Sequence, residues 1–142
     1  MEDLPDDFAI VLGRMVYLGG LIEMLFDRCL VPAGDEPPRK GLSGGELVKE
    51  LRKVAIEGTY LREMVDAYEK MHEYRNNLVH GAHLYSNGVL WTWREPKRAK
   101  GAAAFSHQFF LENLQFSAQS WQNLADALTV EMFERESSFV NS

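Results

Sequence analysis

Leu111, Leu114, Ala118, Trp121, Ala125, Leu128 and Met132 recur at alternating spacings of three and four. No other pattern in the chain constrains its fold as much. A strand would need a period of two, whereas a period near 3.5 lines these side chains along one stripe of a helix. Such a stripe asks for helical neighbours at shallow crossing angles. The spacing predicts a last helix over about Leu111 to Arg135, seated in a bundle seam.

A first helix is predicted from roughly Pro5 to Val31, with Asp6 and Asp7 at the positive end of its dipole and Pro32 and Gly34 closing it. Phe8, Val11, Leu12, Met15, Leu18, Ile22, Leu25, Phe26 and Cys29 form its core stripe. Ile10, Tyr17, Leu21 and Met24 form a second apolar stripe, and Gly13, Gly19 and Gly20 permit close approach of another helix. A helix apolar on two sides is either central in its bundle or shares one side with a partner, so deep burial and a homodimer interface are both open.

"VPAGDEPPRKG" reads as a loop. Ser43 and Glu46 match a capping box flanked by the hydrophobic staple Leu42 and Leu47, opening a helix that carries Leu47, Val48, Leu51, Val54, Ala55 and Ile56 before Gly58 stops it. Thr59 caps a third helix to about His80, where Gly81 is a natural left-handed terminator. In "AHLYSNGVLWTW" the pair Asn87-Gly88 predicts a hairpin with a type I′ turn, and residues from Ala102 to Phe110 are placed to extend that small sheet. The expected architecture is all-α: an up-and-down four-helix bundle with a β-hairpin between its third and fourth helices, forming one domain over residues 1–142.

At 142 residues with 46% hydrophobic content, one core is affordable and a second is not. The lone Cys29 excludes an intramolecular disulfide framework, and its apolar surroundings predict a small buried thiol in a reducing compartment. "MEDLPDDFAI" opens acidic, unlike a signal peptide, and Arg14 and Glu23 interrupt the apolar run that follows; a cytoplasmic protein with no membrane partner is expected. A net charge of -6 argues against coating nucleic acid. The charge is graded, however: residues 1–37 hold eight acids and two bases, residues 38–100 eight acids and twelve bases, and residues 101–142 five acids and one base. Polyanion contact therefore belongs to the middle of the chain.

On a wheel of about 100° per residue, Leu61, Met64, Val65, Tyr68, Met71, Leu78 and Val79 of the third helix share one arc. Arg75 and His72 fall inside it, Asn76 at its edge and His80 one turn beyond Asn76. An unpaired buried guanidinium is costly and cannot deprotonate, so something must meet Arg75. It pairs with an acid on the first helix, Glu23 or Asp27 being the candidates; or it lies at a cleft mouth with Asn76 and His80; or it faces a second subunit. His80 in a last helical turn also suits a plain capping role, and His72 suits a hydrogen-bonded core histidine. His83 and His107 lie outside this group, no residues have zinc-site spacing, and neither a phosphate-binding glycine loop nor a nucleophile elbow is present. Tyr68 and Tyr74 read as ordinary helix aromatics.

"RNNLVH", Arg75 to His80, at the end of an amphipathic helix in a small helical chain, resembles the HEPN superfamily. That family's motif is an arginine, four to six residues and a histidine, usually with Asn, Asp or His after the arginine; Arg75, Asn76 and His80 match it in full. The resemblance implies a metal-independent endoribonuclease without cofactor, active as a homodimer in which two motifs meet, in defence, stress response or toxin-antitoxin control with an antitoxin protein as a further partner. Arg75 would stabilise charge on the phosphate, His80 would transfer protons, and Asn76 would orient the imidazole or hold a phosphate oxygen. Arg94, Lys97, Arg98 and Lys100, with Trp91 and Trp93 for base stacking, would guide RNA; a solvated hairpin tip explains the same run. Toxins controlled by a partner nucleotidyltransferase carry a tyrosine two residues after the histidine. Ala82 stands there in this chain. Family members that bind RNA, nucleotides or proteins without cutting share the motif.

Overall fold

The computed structural model describes residues 2–31, 41–80, 82–94 and 105–140. Four helices, α1 (Asp6–Cys29), α2 (Gly44–Val54), α3 (Tyr60–Val79) and α4 (Leu111–Val140), enclose one core, and three strands, β1 (Ala82–Ser86), β2 (Val89–Arg94) and β3 (Phe105–Phe110), lie between α3 and α4 in the chain. The protein is predominantly helical yet mixed, which corrects the all-α expectation. The predicted hairpin gains a third strand, so an antiparallel sheet of order β1-β2-β3 stands against α3 and α4.

The turn has the geometry its residues demand. Ser86 pairs with Val89, leaving Asn87 and Gly88 as a two-residue loop with φ of 51° and 79°; both values are positive, as a type I′ turn requires. Leu90, Thr92 and Phe109 are buried on the inner face of the sheet, and Trp91 and Trp93 are half-buried on the alternate face. β3 passes into α4 without a loop, Phe110 being followed directly by the first helical residue.

α1 packs chiefly on α4, and α2 on α3. The α4 stripe is buried along its length, with Leu114, Ala118, Trp121 and Leu128 at 0% exposure. α4 continues beyond the expected Arg135 to Val140, and Arg135 donates to the carbonyls of Arg28 and Val31, tying the end of α1 to it. Cys29 is the predicted buried thiol: it donates to the Leu25 carbonyl at 3.5 Å, and burial pushes its pKa up to about 11.

Local signals met different outcomes. Thr59 caps α3 by accepting from the Arg62 N–H at 3.3 Å. The Ser43 side chain makes no cap bond, so the capping box is not formed. α2 ends at Val54, before Ile56, which is 73% exposed. His80 is not in the last turn of α3 but is its extended C-cap, at φ -108° and ψ 128°. Pro32, Gly34 and Gly81, invoked as terminators, lie outside the described residues.

The two stripes of α1 separate except at Leu21, which is half-buried against the core. Phe8, Val11, Met15, Leu18, Ile22 and Phe26 are buried, whereas Ile10, Tyr17 and Met24 are exposed by 70%, 68% and 61%. Deep burial of both sides is thereby overturned. By length and composition α1 would also suffice to cross a membrane, its best window having a mean hydropathy of 1.7 with a third of it buried in this fold; Arg14 and Glu23 interrupt the run less than expected.

Candidate functional site

Where α3 crosses α1 and the start of α2, a group of polar side chains replaces the apolar core. Tyr68 anchors it. Its ring is fully buried, edge-on to Phe26 and Trp121 at centroid distances of 5.3 and 6.0 Å. Its hydroxyl donates to Glu23 Oε1 at 3.0 Å and accepts from the Gly44 N–H at 3.3 Å, so one phenol links α1, α2 and α3. Burial first, and then the Glu23 carboxylate, hold the Tyr68 hydroxyl well above the usual phenol range. It therefore serves as a neutral donor.

Arg75 lies one side of this link. Its Nη1 stands 3.9 Å from Glu23 Oε1, its side chain is 14% exposed, and its buried Nε has no hydrogen-bond partner. The guanidinium rests on Gly19, where a Cβ would come within 2.3 Å of Nε. Glycine is thus required at position 19 for this approach, which is that of a side chain and not of a second helix backbone. Of the two acids expected to meet Arg75, Glu23 does so. Asp27 instead accepts from the Leu42 N–H at 3.2 Å and secures the entry to α2; burial raises its pKa.

His72 stacks on Tyr68 at 5.5 Å and 23°, with its Nε2 2.9 Å from Asn76 Nδ2. With the amide donating, Nε2 is the acceptor and a neutral ring carries its proton on Nδ1. This is the hydrogen-bonded histidine expected on the apolar arc. Gly44, at φ +57°, is packed so closely that a Cβ would lie 2.7 Å from His72 Nε2; only glycine combines that backbone with that contact.

The three motif residues lie within one six-residue stretch of α3 and its cap but engage different partners. Arg75 is with Glu23 and Asn76 with His72, while His80 is exposed and meets Asn76 through its backbone N–H, which donates to the Asn76 carbonyl at 3.1 Å. Among the described residues no side-chain hydrogen bond joins Arg75, Asn76 and His80. Tyr68 and Gly44 belong to the site and were not singled out from sequence. For Gly44 the doublet Gly44-Gly45 beside a cap residue was an available signal.

Of the basic run, Arg94 ends β2 opposite Phe105, and Lys97, Arg98 and Lys100 lie outside the described residues. Among the described residues no group of three or more His, Cys, Asp or Glu side chains is arranged to hold a metal ion.

The outer face of α1 adjoins this cluster. Ile10, Gly13, Tyr17, Gly20 and Met24 are all exposed and follow spacings of three and four, the period of a helix-pairing seam. A Cβ at Gly13 or Gly20 would meet nothing. On the helical wheel the exposed Val16 falls between this seam and the edge that carries Gly19 and Glu23.

No family model, curated protein or solved structure matches the chain.

Proposed function

We propose that this protein is a metal-independent endoribonuclease of HEPN type, an up-and-down four-helix bundle that acts as a homodimer in defence, stress response or toxin-antitoxin control. The observation that carries this reading is the state of Arg75. A permanently charged side chain is largely buried, and among the described residues its Nε lacks an acceptor and its paired carboxylate stands at 3.9 Å while bonded to Tyr68. A guanidinium neutralised this incompletely retains donors for phosphate oxygens.

In the proposed dimer the α1 seam of one protomer meets that of its partner, and the Val16 flank brings the partner beside the Arg75 edge. The exposed His80 side chains then serve as base and acid. One takes the proton of the ribose 2′-hydroxyl as that oxygen attacks phosphorus; the other gives a proton to the departing 5′-oxygen, leaving a 2′,3′-cyclic phosphate and a 5′-hydroxyl. Arg75 holds the non-bridging oxygens as negative charge develops on them. Asn76 exchanges its contact with His72 for substrate or for His80. Trp91, Trp93, Arg94, Lys97, Arg98 and Lys100 would guide the strand, and an antitoxin protein would restrain the enzyme.

His80→Ala tests this. With excess chelator present, the variant should lose RNA cleavage by about 10²-fold or more while melting like the parent, because the ring is exposed and makes no side-chain hydrogen bond among the described residues. A second reading rests on the Tyr68–Glu23 and Asn76–His72 bonds, which engage polar residues inside a single chain: a non-catalytic HEPN-like module binding RNA, nucleotide or protein. It predicts no chelator-resistant cleavage by the parent protein at all.

A further inference from the structure

An apolar concavity lies away from the Arg75 cluster, beside the last turn of α3. It encloses about 520 Å³ between α1, the end of α3 and the β1–β2 hairpin, walled by Leu12, Leu78, Leu84 and Leu90. That volume is within the span typical of small-molecule sites, about 300–1,000 Å³. Two carboxylates, Glu2 and Asp3, join its lining, and among the described residues no lysine or arginine does. Glu2 is already fixed, accepting from the Asn87 N–H at 2.7 Å, which draws the N-terminal segment over the hairpin turn. Asp3 has no ion-pair or hydrogen-bond partner among the described residues. His83 also lines the cavity, its Nε2 engaged by the Leu78 carbonyl.

We infer that this cavity binds a small organic amine, its alkyl or aryl body against the leucine walls and its ammonium group beside Asp3 and Glu2. The class follows from charge and surface together. A fatty acid or other apolar anion would place its charge against two carboxylates with no lysine or arginine among the described lining residues to compensate, while a neutral hydrocarbon would shield Asp3 from water without offering a partner. An amine satisfies both parts of the lining: apolar area leaves water, and the ammonium pairs at the rim where hydration is retained. The inference stands on the cavity alone and holds whether or not Arg75 and His80 act on RNA.

The test is an NMR titration of the full chain with three probes of one shape: 2-phenylethylamine, 2-phenylethanol and phenylacetate. The amine should produce saturable shifts at residues 2–4, 78–79, 83–85 and 90, with an affinity on the order of 1 mM for so small a fragment. The alcohol should bind about fivefold more weakly at the same residues, and phenylacetate not at all. Glu2→Gln with Asp3→Asn should bring the amine down to the affinity of the alcohol and leave the alcohol unchanged. Asp3→Asn alone, which removes no hydrogen bond, reports the same loss of preference should the pair unfold the chain. Absence of saturable shifts, equal affinity for all three probes, shifts mapping elsewhere, or an amine preference that survives the substitutions would each overturn the assignment.

Discussion

On the inner flank of α1, Gly19 lies under the Arg75 guanidinium and a polar cluster fills the space where α3 crosses. On its outer face Gly13 and Gly20 meet nothing, and Ile10, Tyr17 and Met24 stand in solvent. Polarity is inverted on both sides of a single helix. Burying charge and exposing apolar area each cost free energy in an isolated chain; in the proposed dimer, phosphate would meet the inner edge and a second protomer the outer seam. Glycine serves each side differently. At position 19 it admits a side chain already present; at 13 and 20 it leaves open space, which the proposed dimer would fill with a partner backbone.

Substitutions separate the two sides. The largest effect is expected at the seam. Tyr17→Asp places a charge in both halves of the proposed two-fold interface, so the proposed dimer should weaken by about 100-fold or more in light scattering or sedimentation, with the monomer fold intact. A parent protein monomeric at high concentration would remove the seam from the proposal altogether. On the inner flank, Glu23→Ala leaves Arg75 without its counter-charge and the Tyr68 hydroxyl without its acceptor, and should cost about 2 kcal/mol, read from denaturant unfolding. That is less than for a fully enclosed pair, since both side chains retain some exposure. Should Glu23→Ala with Arg75→Met recover most of that loss, the cost lies in the stranded charge. Tyr68→Phe removes the hydroxyl bridging Glu23 and Gly44 and should cost about 1 kcal/mol in the same measurement, with no loss of packing.

Smaller effects sharpen the contrast between glycines. Gly13→Ala should stabilise the monomer by up to about 1 kcal/mol through helix propensity while weakening the dimer. Gly19→Ala should show no such clean gain, because its methyl displaces the guanidinium. The smallest change concerns Asp27, whose raised pKa means that the folded state holds the proton more tightly than the unfolded one. Its contribution to stability therefore falls as pH rises from the ordinary carboxylate range through the raised value, and ionised Asp27 is a cost at neutral pH. Asp27→Asn keeps an acceptor for the Leu42 N–H and should raise Tm by about 2 °C at neutral pH, with no gain in acid below that window.

Much of the fold was legible because its signals are local. The α4 stripe, the core stripe of α1, the Thr59 cap and the Asn87-Gly88 turn each rest on periodicity or on backbone preferences that neighbouring residues set. The Ser43–Glu46 box was equally local and failed: Gly44 takes a positive φ and gives its N–H to Tyr68, a partner 24 residues away. At the candidate site, the wheel placed Arg75 on the buried arc and named Glu23 as its potential acid. It could not place Tyr68 between three helices, since an aromatic at a core position looks alike whether its hydroxyl is satisfied or not. Nor could it tell that Asn76 would turn to His72.

The order of residues by itself determined four helices, a tight hairpin, one buried thiol and the presence of a cation among apolar neighbours, because each depends on spacings within one segment. Tertiary structure decided which stripe of α1 stays in solvent and that Arg75, Glu23, Tyr68, His72 and Gly44 converge. Those outcomes depend on which surfaces meet, and that is fixed by the free energy of packing distant segments together and not by the preferences of any one of them.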